Sequence, residues 1–240
     1  MIKLEGRNPV LEALRAGLLE RMVLEAGHES DPKVQMLLKL ARSKGVAVET
    51  VDRRELRRLS QTGIPQGVVG FARPPRFPSL EEVLSGPGRE VCILILDQVQ
   101  DPRNLGAIIR TAEGAGVDGV LLPRKGSAEV NETVHRVSMG ASLHVPVWRT
   151  RIYPAVKRLR DSGVRLMAVD PGGGRTYYEA DLGGSAALVL GGENRGVSPT
   201  LLEKCEEVVR IPMRGHLQSL NVSVAAGVVL YERLRQMETS

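Results

Sequence analysis

Beyond residue 90 the chain repeats one pattern: a short, nearly continuous apolar run, a polar or glycine-rich exit, then a helical segment. Apolar runs at 91–96, 117–122, 143–148, 164–169, 186–190 and 207–211 read as strands, and helices are expected at about 104–114, 130–139, 153–162, 198–205 and 221–236. Strands apolar on both sides must be covered on both sides, so the sheet is mainly parallel and the fold is α/β. Ligands on such sheets bind in the crevice beyond the carboxyl ends of the strands. Three exits share one form: Leu96-Asp97 through Asp101-Pro102-Arg103-Asn104-Leu-Gly106 to Arg110, Leu188-Val-Leu-Gly191-Gly192-Glu193-Asn194-Arg195-Gly196, and Ile211-Pro-Met-Arg214 through Ser219-Leu220-Asn221-Val-Ser223. All three follow strands, so all three are expected on that rim, where they outline a pocket made mostly of backbone.

The first part of the chain is built differently. Asn8-Pro9 is expected to open a helix as N-cap and first residue, and Asp31-Pro32 to open another that Gly45 ends. Asp52-Arg-Arg-Glu55 reads as the capping-box start of a third, short helix. Strands are expected at Met22 to Ala26, Val46 to Val51 and Gln66 to Phe71. Residues 1–72 thus form a small α/β unit of three strands, residues 73–89 a Pro-rich linker carrying a short helix at Ser79 to Leu84, and residues 90–240 the larger domain.

With 42% hydrophobic and 25% charged residues, this is ordinary globular composition. Aromatics make up only 3% of the chain, too few for a base-stacking sheet. The net charge of +5 favours a polyanionic partner. Seven of the 33 basic residues are Lys and 26 are Arg, whose fork suits phosphate. Cys92 and Cys205 form no C-x-x-C pair, and His28, His135, His144 and His216 lack metal-ligand spacing, so neither a disulfide framework nor a metal site is indicated. The start of the chain has no apolar leader, and the longest apolar run, Val91 to Leu96, is far too short for a bilayer. A cytoplasmic protein is expected.

Several motifs fail on context. Gly114-Ala-Gly116-Val-Asp-Gly119 spells a dinucleotide fingerprint but ends a helix and precedes a strand, the reverse of what a nicotinamide site needs. Gly191 to Gly196 has the glycine spacing of a phosphate loop, yet Val197 stands where Lys is required. No G-x-S-x-G elbow is present. Two of the three rim loops also have a purely structural reading. Asp101-Pro102 makes an ordinary turn with Asn104 as a cap, and Ser219 or Asn221 caps the last helix. Arg110, flanked by Ile108, Ile109 and Ala112, carries a desolvation cost that either a function or an ion pair with Glu193 would offset.

Taken together, the three stretches resemble the ordered motifs of the SpoU branch of the SPOUT superfamily, S-adenosylmethionine-dependent RNA 2′-O-ribose methyltransferases. The resemblance covers residues 90–240. The first 72 residues are similar to the ribosomal-protein-L30e-like substrate domain of the subgroup that methylates a guanosine ribose in 23S rRNA. The resemblance implies a deep trefoil knot at the C-terminal end of the SPOUT domain and a homodimer whose site draws on both subunits. It implies cofactor contacts at Gly191, Ile211 and Leu220, and cofactor binding by the backbone of tight loops accounts for Gly192 and Gly196 as further contacts. Arg110 is the catalytic candidate, with Asn104, Glu193, Ser219 and Asn221 orienting it and the loops, and Asn131 and Arg136 are RNA-contact candidates. Guanidinium does not give up its proton in proteins, so Arg110 is expected to pair with phosphate and stabilise alkoxide charge rather than act as a base. The competing readings are a tRNA ribose methyltransferase of the same branch and a catalytically silent RNA-binding ribosome factor.

Overall fold

The structure, a computed structural model, describes residues 1–86, 88, 90–192 and 196–239. It forms two compact units, one of residues 1–76 with 129–144 and one of residues 77–128 with 145–240. Elements are numbered along the chain.

The smaller unit holds β1 (Ile2–Glu5), α1 (Arg7–Arg15), β2 (Leu19–Glu25), α2 (Pro32–Ser43), β3 (Ala47–Val51), α3 (Arg53–Leu59) and β4 (Val68–Ala72). Its sheet runs β1-β4-β2-β3, with β4 antiparallel to both neighbours and β2 parallel to β3. The sequence reading counted three strands here. The fourth, β1, is short, and its Lys3 and Glu5 disguise an edge strand whose Leu4 is fully buried. Asp31 and Asp52 cap α2 and α3, accepting from the Lys33 and Glu55 amides at 2.9 and 2.8 Å. The first helix departs from expectation. Gly6, at φ 96°, turns the chain into α1 without a side-chain cap, and Asn8-Pro9 falls inside the first turn, where a missing amide hydrogen costs nothing.

Glu5 is fully buried, yet it is not an orphan charge. The Gln61 amide donates to it at 2.6 Å, the Thr62 amide at 3.1 Å, the Ser60 hydroxyl at 2.7 Å, and the Thr62 hydroxyl also donates. Burial alone would raise its pKa, but these donors together outweigh it and hold the carboxyl below the usual range.

The unit also takes in α6 (Glu132–Val137) and a 3-10 turn (Ala141–Leu143), which by sequence belonged to the larger domain. The reason is packing: Leu143 is buried in the cluster of Leu4, Val10 and Leu14, and Gly140 lies so close to α1 that a Cβ would stand 2.8 Å from that of Glu12. His144 reaches Glu12 at 3.1 Å. His135 is buried with Nδ1 2.8 Å from the Ser142 hydroxyl, and that burial pushes its pKa down.

The larger unit holds α4 (Leu80–Leu84), β5 (Cys92–Asp97), α5 (Pro102–Gly114), β6 (Gly119–Pro123), β7 (Val147–Thr150), α7 (Ile152–Asp161), β8 (Arg165–Val169), β9 (Arg175–Thr176), β10 (Ala186–Gly191), α8 (Pro199–Leu202), β11 (Glu207–Arg210) and α9 (Val222–Thr239). Its seven strands run β7-β6-β5-β10-β8-β11-β9, every pair parallel. Five of the six strands expected from the apolar runs are present near their expected places. The one expected at 143–148 begins only at Val147, because 141–143 form the 3-10 turn, while β9 is additional and α8 is shorter than expected. One face packs Ile93, Ile95, Ala187 and Val189 against Val156 and Leu159 of α7. Leu105, Ile108 and Ile109 of α5 and Ala226, Val229 and Leu230 of α9 are also buried, and these two helices lie against each other.

The Pro-rich stretch expected as a linker contains the division between the two units, at Arg76 and Phe77, and the short helix expected inside it is α4. Ser79 makes a complete capping box with Glu82 at the start of α4, Leu80 enters the larger core, and the Trp148 indole donates to the Pro78 carbonyl at 3.0 Å. The glycine-rich stretch 114–119 does what its context implied: α5 ends at Gly114, Gly116 turns at φ 69°, and β6 begins at Gly119. Both cysteines are free thiols.

Candidate active site

The carboxyl ends of β8, β10 and β11 open into a pocket lined by Val169, Asp170, Leu190, Gly191, Gly192 and Gly196 on one side and by Ile211, Met213, Ser219, Leu220 and Val222 on the other. It sits where the sheet order predicts, in the crevice beyond the strand tips of the larger unit.

The glycines are there because backbone fills the space their side chains would need. A Cβ on Gly191 would stand 1.8 Å from the Gly196 carbonyl carbon, and one on Gly192 would stand 2.3 Å from the Gln98 carbonyl oxygen. The turn closes on itself through an isolated bridge between Gly192 and Gly196, the Gly196 amide donating to the Gly192 carbonyl at 3.1 Å. Asp97, at the tip of the neighbouring β5, pins the turn at both ends. Its carbonyl accepts from the Gly192 amide at 2.7 Å, and its buried carboxylate accepts from the Ser198 amide at 2.9 Å. Gln98 follows with φ 63°, reversing the chain away from the crowded turn.

The third loop joins the first through a side-chain bond, the Asn221 amide donating to the Asn104 carbonyl oxygen at 3.2 Å. Asn221 also caps α9, accepting from the Ser223 amide at 2.9 Å. All three rim stretches therefore meet. Gly191, Gly192, Gly196, Ile211, Ser219 and Leu220 line one pocket, with Asn104 and Asn221 bonded beside it. Asp101, not Asn104, caps α5, accepting from the Arg103 amide at 2.7 Å. Glu193 lies outside the described residues, and so does any pairing it makes with Arg110.

Arg110 departs from expectation in two ways. Successive helical residues turn by about 100°, so burying Ile108, Ile109 and Ala112 leaves residue 110 facing outward. Arg110 is exposed, and the desolvation cost expected for it does not arise within the single chain. Nor does it line the pocket. Asn131 and Arg136 belong to the smaller unit. Asn131 caps α6, accepting from the Val134 amide at 3.1 Å, while Arg136 is half-buried with its Nε lacking a hydrogen-bond partner.

Sequence reasoning missed Asp170. It follows β8 and leads into Pro171-Gly-Gly-Gly174, a fourth strand-to-glycine exit of the same form as the other three, and that form was the available signal. Among the described residues no cluster of three or more His, Cys, Asp or Glu is arranged to hold a metal, and no helix is long and apolar enough to cross a membrane.

A parallel sheet whose strand tips carry a backbone-walled pocket defines an α/β protein with a ligand site at the carboxyl edge of its sheet, and comparison with known proteins supplies the class. Residues 91–231 match the SpoU rRNA Methylase family, and residues 3–78 match the family described as RNA 2′-O ribose methyltransferase substrate binding. A relative in Mycolicibacterium vanbaalenii, named an uncharacterized tRNA/rRNA methyltransferase, is 38% identical over 98% of this chain and 76% of its own. The crystal structure of an RNA 2′-O ribose methyltransferase superposes with TM-score 0.85 at 32% identity, covering 98% of this chain and 88% of that one. An S-adenosylmethionine-bound rRNA methyltransferase from Sinorhizobium meliloti gives TM-score 0.80 at 28% identity over all of this chain and 88% of its own. The chain belongs to the SpoU family of RNA 2′-O-ribose methyltransferases.

Proposed function

We propose that this protein methylates the ribose 2′-hydroxyl of a guanosine in 23S rRNA, with S-adenosylmethionine as donor. The observation that carries the reading is the pocket at the tips of β8, β10 and β11, walled by glycine backbone and floored by apolar side chains. It suits a ligand that is part flat heterocycle and part polar chain: Leu190, Ile211, Leu220 and Val222 offer apolar contact, and the glycine turns offer amides and carbonyls. Gly191, Gly192, Gly196, Ile211 and Leu220 hold the donor. When bound, it supplies a methyl group on a sulfonium leaving group, which removes any need for a covalent enzyme intermediate.

The chain's own residues then have two tasks, alignment and charge. Ser219 and Asn221 fix the rim loop, and Asn221 ties it to Asn104 and so to α5. Holding the acceptor hydroxyl in line is the larger contribution to rate. Arg110 pairs with the target phosphate and stabilises charge developing on the 2′-oxygen, with Glu193 orienting it. Its outward position supports a homodimer in which it completes the partner's site. Leu217, Leu220, Val224 and Tyr231, all exposed on the rim loop and α9, give such a dimer apolar surface to bury. A trefoil knot in the C-terminal segment and a cytoplasmic location complete the reading. The smaller unit presents the RNA. On α3, Arg53, Arg54, Arg57 and Arg58 are all exposed, a row of guanidinium groups suited to phosphate. Asn131 and Arg136, in the same unit, are further contacts.

The curated relative's name leaves tRNA as the second reading. Mapping ribose methylation in cells lacking the protein separates the two: loss of one 23S guanosine mark with tRNA unchanged supports the first, and the reverse supports the second. Retention of every mark in both overturns the enzyme's assignment to either.

A further inference from the structure

We propose that Asp170 sets the pocket's preference for the charged methyl donor over its neutral product. This inference rests on the reading of the pocket as the donor site. Asp170 is the only ionisable side chain among the described residues that line it. Its backbone is held on both sides, the amide donating to the Val209 carbonyl at 2.9 Å and the carbonyl accepting from the Gly173 amide at 3.0 Å. One carboxylate oxygen, Oδ1, accepts from the Gly172 amide at 2.9 Å, which fixes the side chain. The other, Oδ2, accepts no hydrogen bond from the described residues and lies over the glycine turn, 3.1 Å from where a Cβ on Gly196 would stand. A fixed carboxylate, with one oxygen unbonded among the described residues, thus faces a wall of Leu190, Ile211, Met213, Leu220 and Val222, where apolar neighbours thin the water that would screen it.

The donor and its product share the adenosine, the ammonium and the carboxylate. They differ in the sulfur, a sulfonium before transfer and a thioether afterwards, because the sulfur keeps the electron pair of the broken S–C bond. A carboxylate in the pocket therefore attracts the donor through one charge that the product has lost. That attraction disappears at transfer, and the product is released more easily than the shared groups alone would allow.

The test is calorimetric titration of the 240-residue chain and its Asp170→Asn variant with three ligands. These are S-adenosylmethionine, S-adenosylhomocysteine and sinefungin, the last carrying a protonated amine near the sulfonium position. Asn keeps the acceptor for the Gly172 amide, and homocysteine-ligand binding itself reports an intact pocket. The variant is expected to bind the two cationic ligands about five- to thirtyfold more weakly and S-adenosylhomocysteine within about twofold of wild type. Equal weakening of all three would overturn the proposal, placing Asp170 on groups the ligands share, and so would no change in any. Should the wild-type protein bind none of the three, the donor-site reading falls first and the inference with it.

Discussion

Replacing Gly191 by Ala adds one methyl group where the fold has no room for it. The new carbon would lie 1.8 Å from the Gly196 carbonyl carbon, 2.1 Å from its oxygen and 2.2 Å from the Val197 nitrogen, all backbone atoms. Ordinary contact begins near 3.4 Å, so the turn must retreat by about 1.6 Å. A shift of that size breaks the 3.1 Å bond from the Gly196 amide to the Gly192 carbonyl. Overpacking costs about 1–3 kcal/mol, and the lost bond about 1 kcal/mol more. For a chain of this size each kcal/mol lowers Tm by about 2–4 °C, so the variant should melt about 4–16 °C lower. If about 2 kcal/mol of that falls on the pocket wall, the donor's Kd rises roughly thirtyfold. Gly174→Ala is the matched control, since nothing lies within 4 Å of its Cβ position and its φ is ordinary. Scanning calorimetry and titration with S-adenosylmethionine read both quantities. A Gly191→Ala protein that melts within 1 °C of wild type and binds the donor within about twofold would refute the packing argument.

Arg110→Lys keeps the positive charge but loses the planar fork. It should lower turnover by about 10²-fold or more while donor affinity stays unchanged, and near-full turnover would count against the fork's role. Glu5, with its pKa held down by donated hydrogen bonds, contributes stability that is complete above the unfolded carboxyl's pKa of 4.5 and fades as pH falls through the lower folded value. Melting curves of wild type and Glu5→Gln should therefore differ by about 3–10 °C near pH 7, and the gap should close as pH falls from 4.5 through the lower folded value, whereas a pH-independent gap would reject the linkage. Burial pushes the Cys205 thiol up to about 11, and the Cys92 thiol is raised by burial as well. Mass spectrometry should accordingly find both almost unmodified after brief iodoacetamide treatment at pH 8, with rapid labelling only after denaturation.

The larger unit was readable because its strands are apolar on both faces. Ile93 to Leu96 and Ala186 to Leu190 leave no alternative to a buried parallel pair, and the rim position of their exits follows from that alone. β1 was not readable, since four residues with Lys3 and Glu5 alternating against Ile2 and Leu4 carry no turn signal and take their order from β4. The orientation of Arg110 was misjudged for a simple reason. Apolar neighbours in sequence are not neighbours in space on a helix, and the buried stripe of α5 leaves residue 110 outside it. Asp170 was missed because a single carboxylate in a glycine loop has an ordinary turn explanation. Its significance comes only from the pocket that the tips of two other strands, β10 and β11, close around it. The placement of 129–144 was beyond any local signal, since what decides it is the fit of Leu143 and Gly140 against α1, more than 120 residues earlier in the sequence.

That last placement bears on synthesis. The small unit's hydrophobic interior is still missing Leu143 when Arg76 leaves the ribosome, and it stays incomplete while strands β5 and β6 of the other unit are being made. Order in the N-terminal part must then wait on a segment encoded well inside the downstream half. A gene fragment stopping between residues 77 and 128 would yield a product with an unfilled apolar notch, prone to clump rather than to act as a portable RNA-binding module.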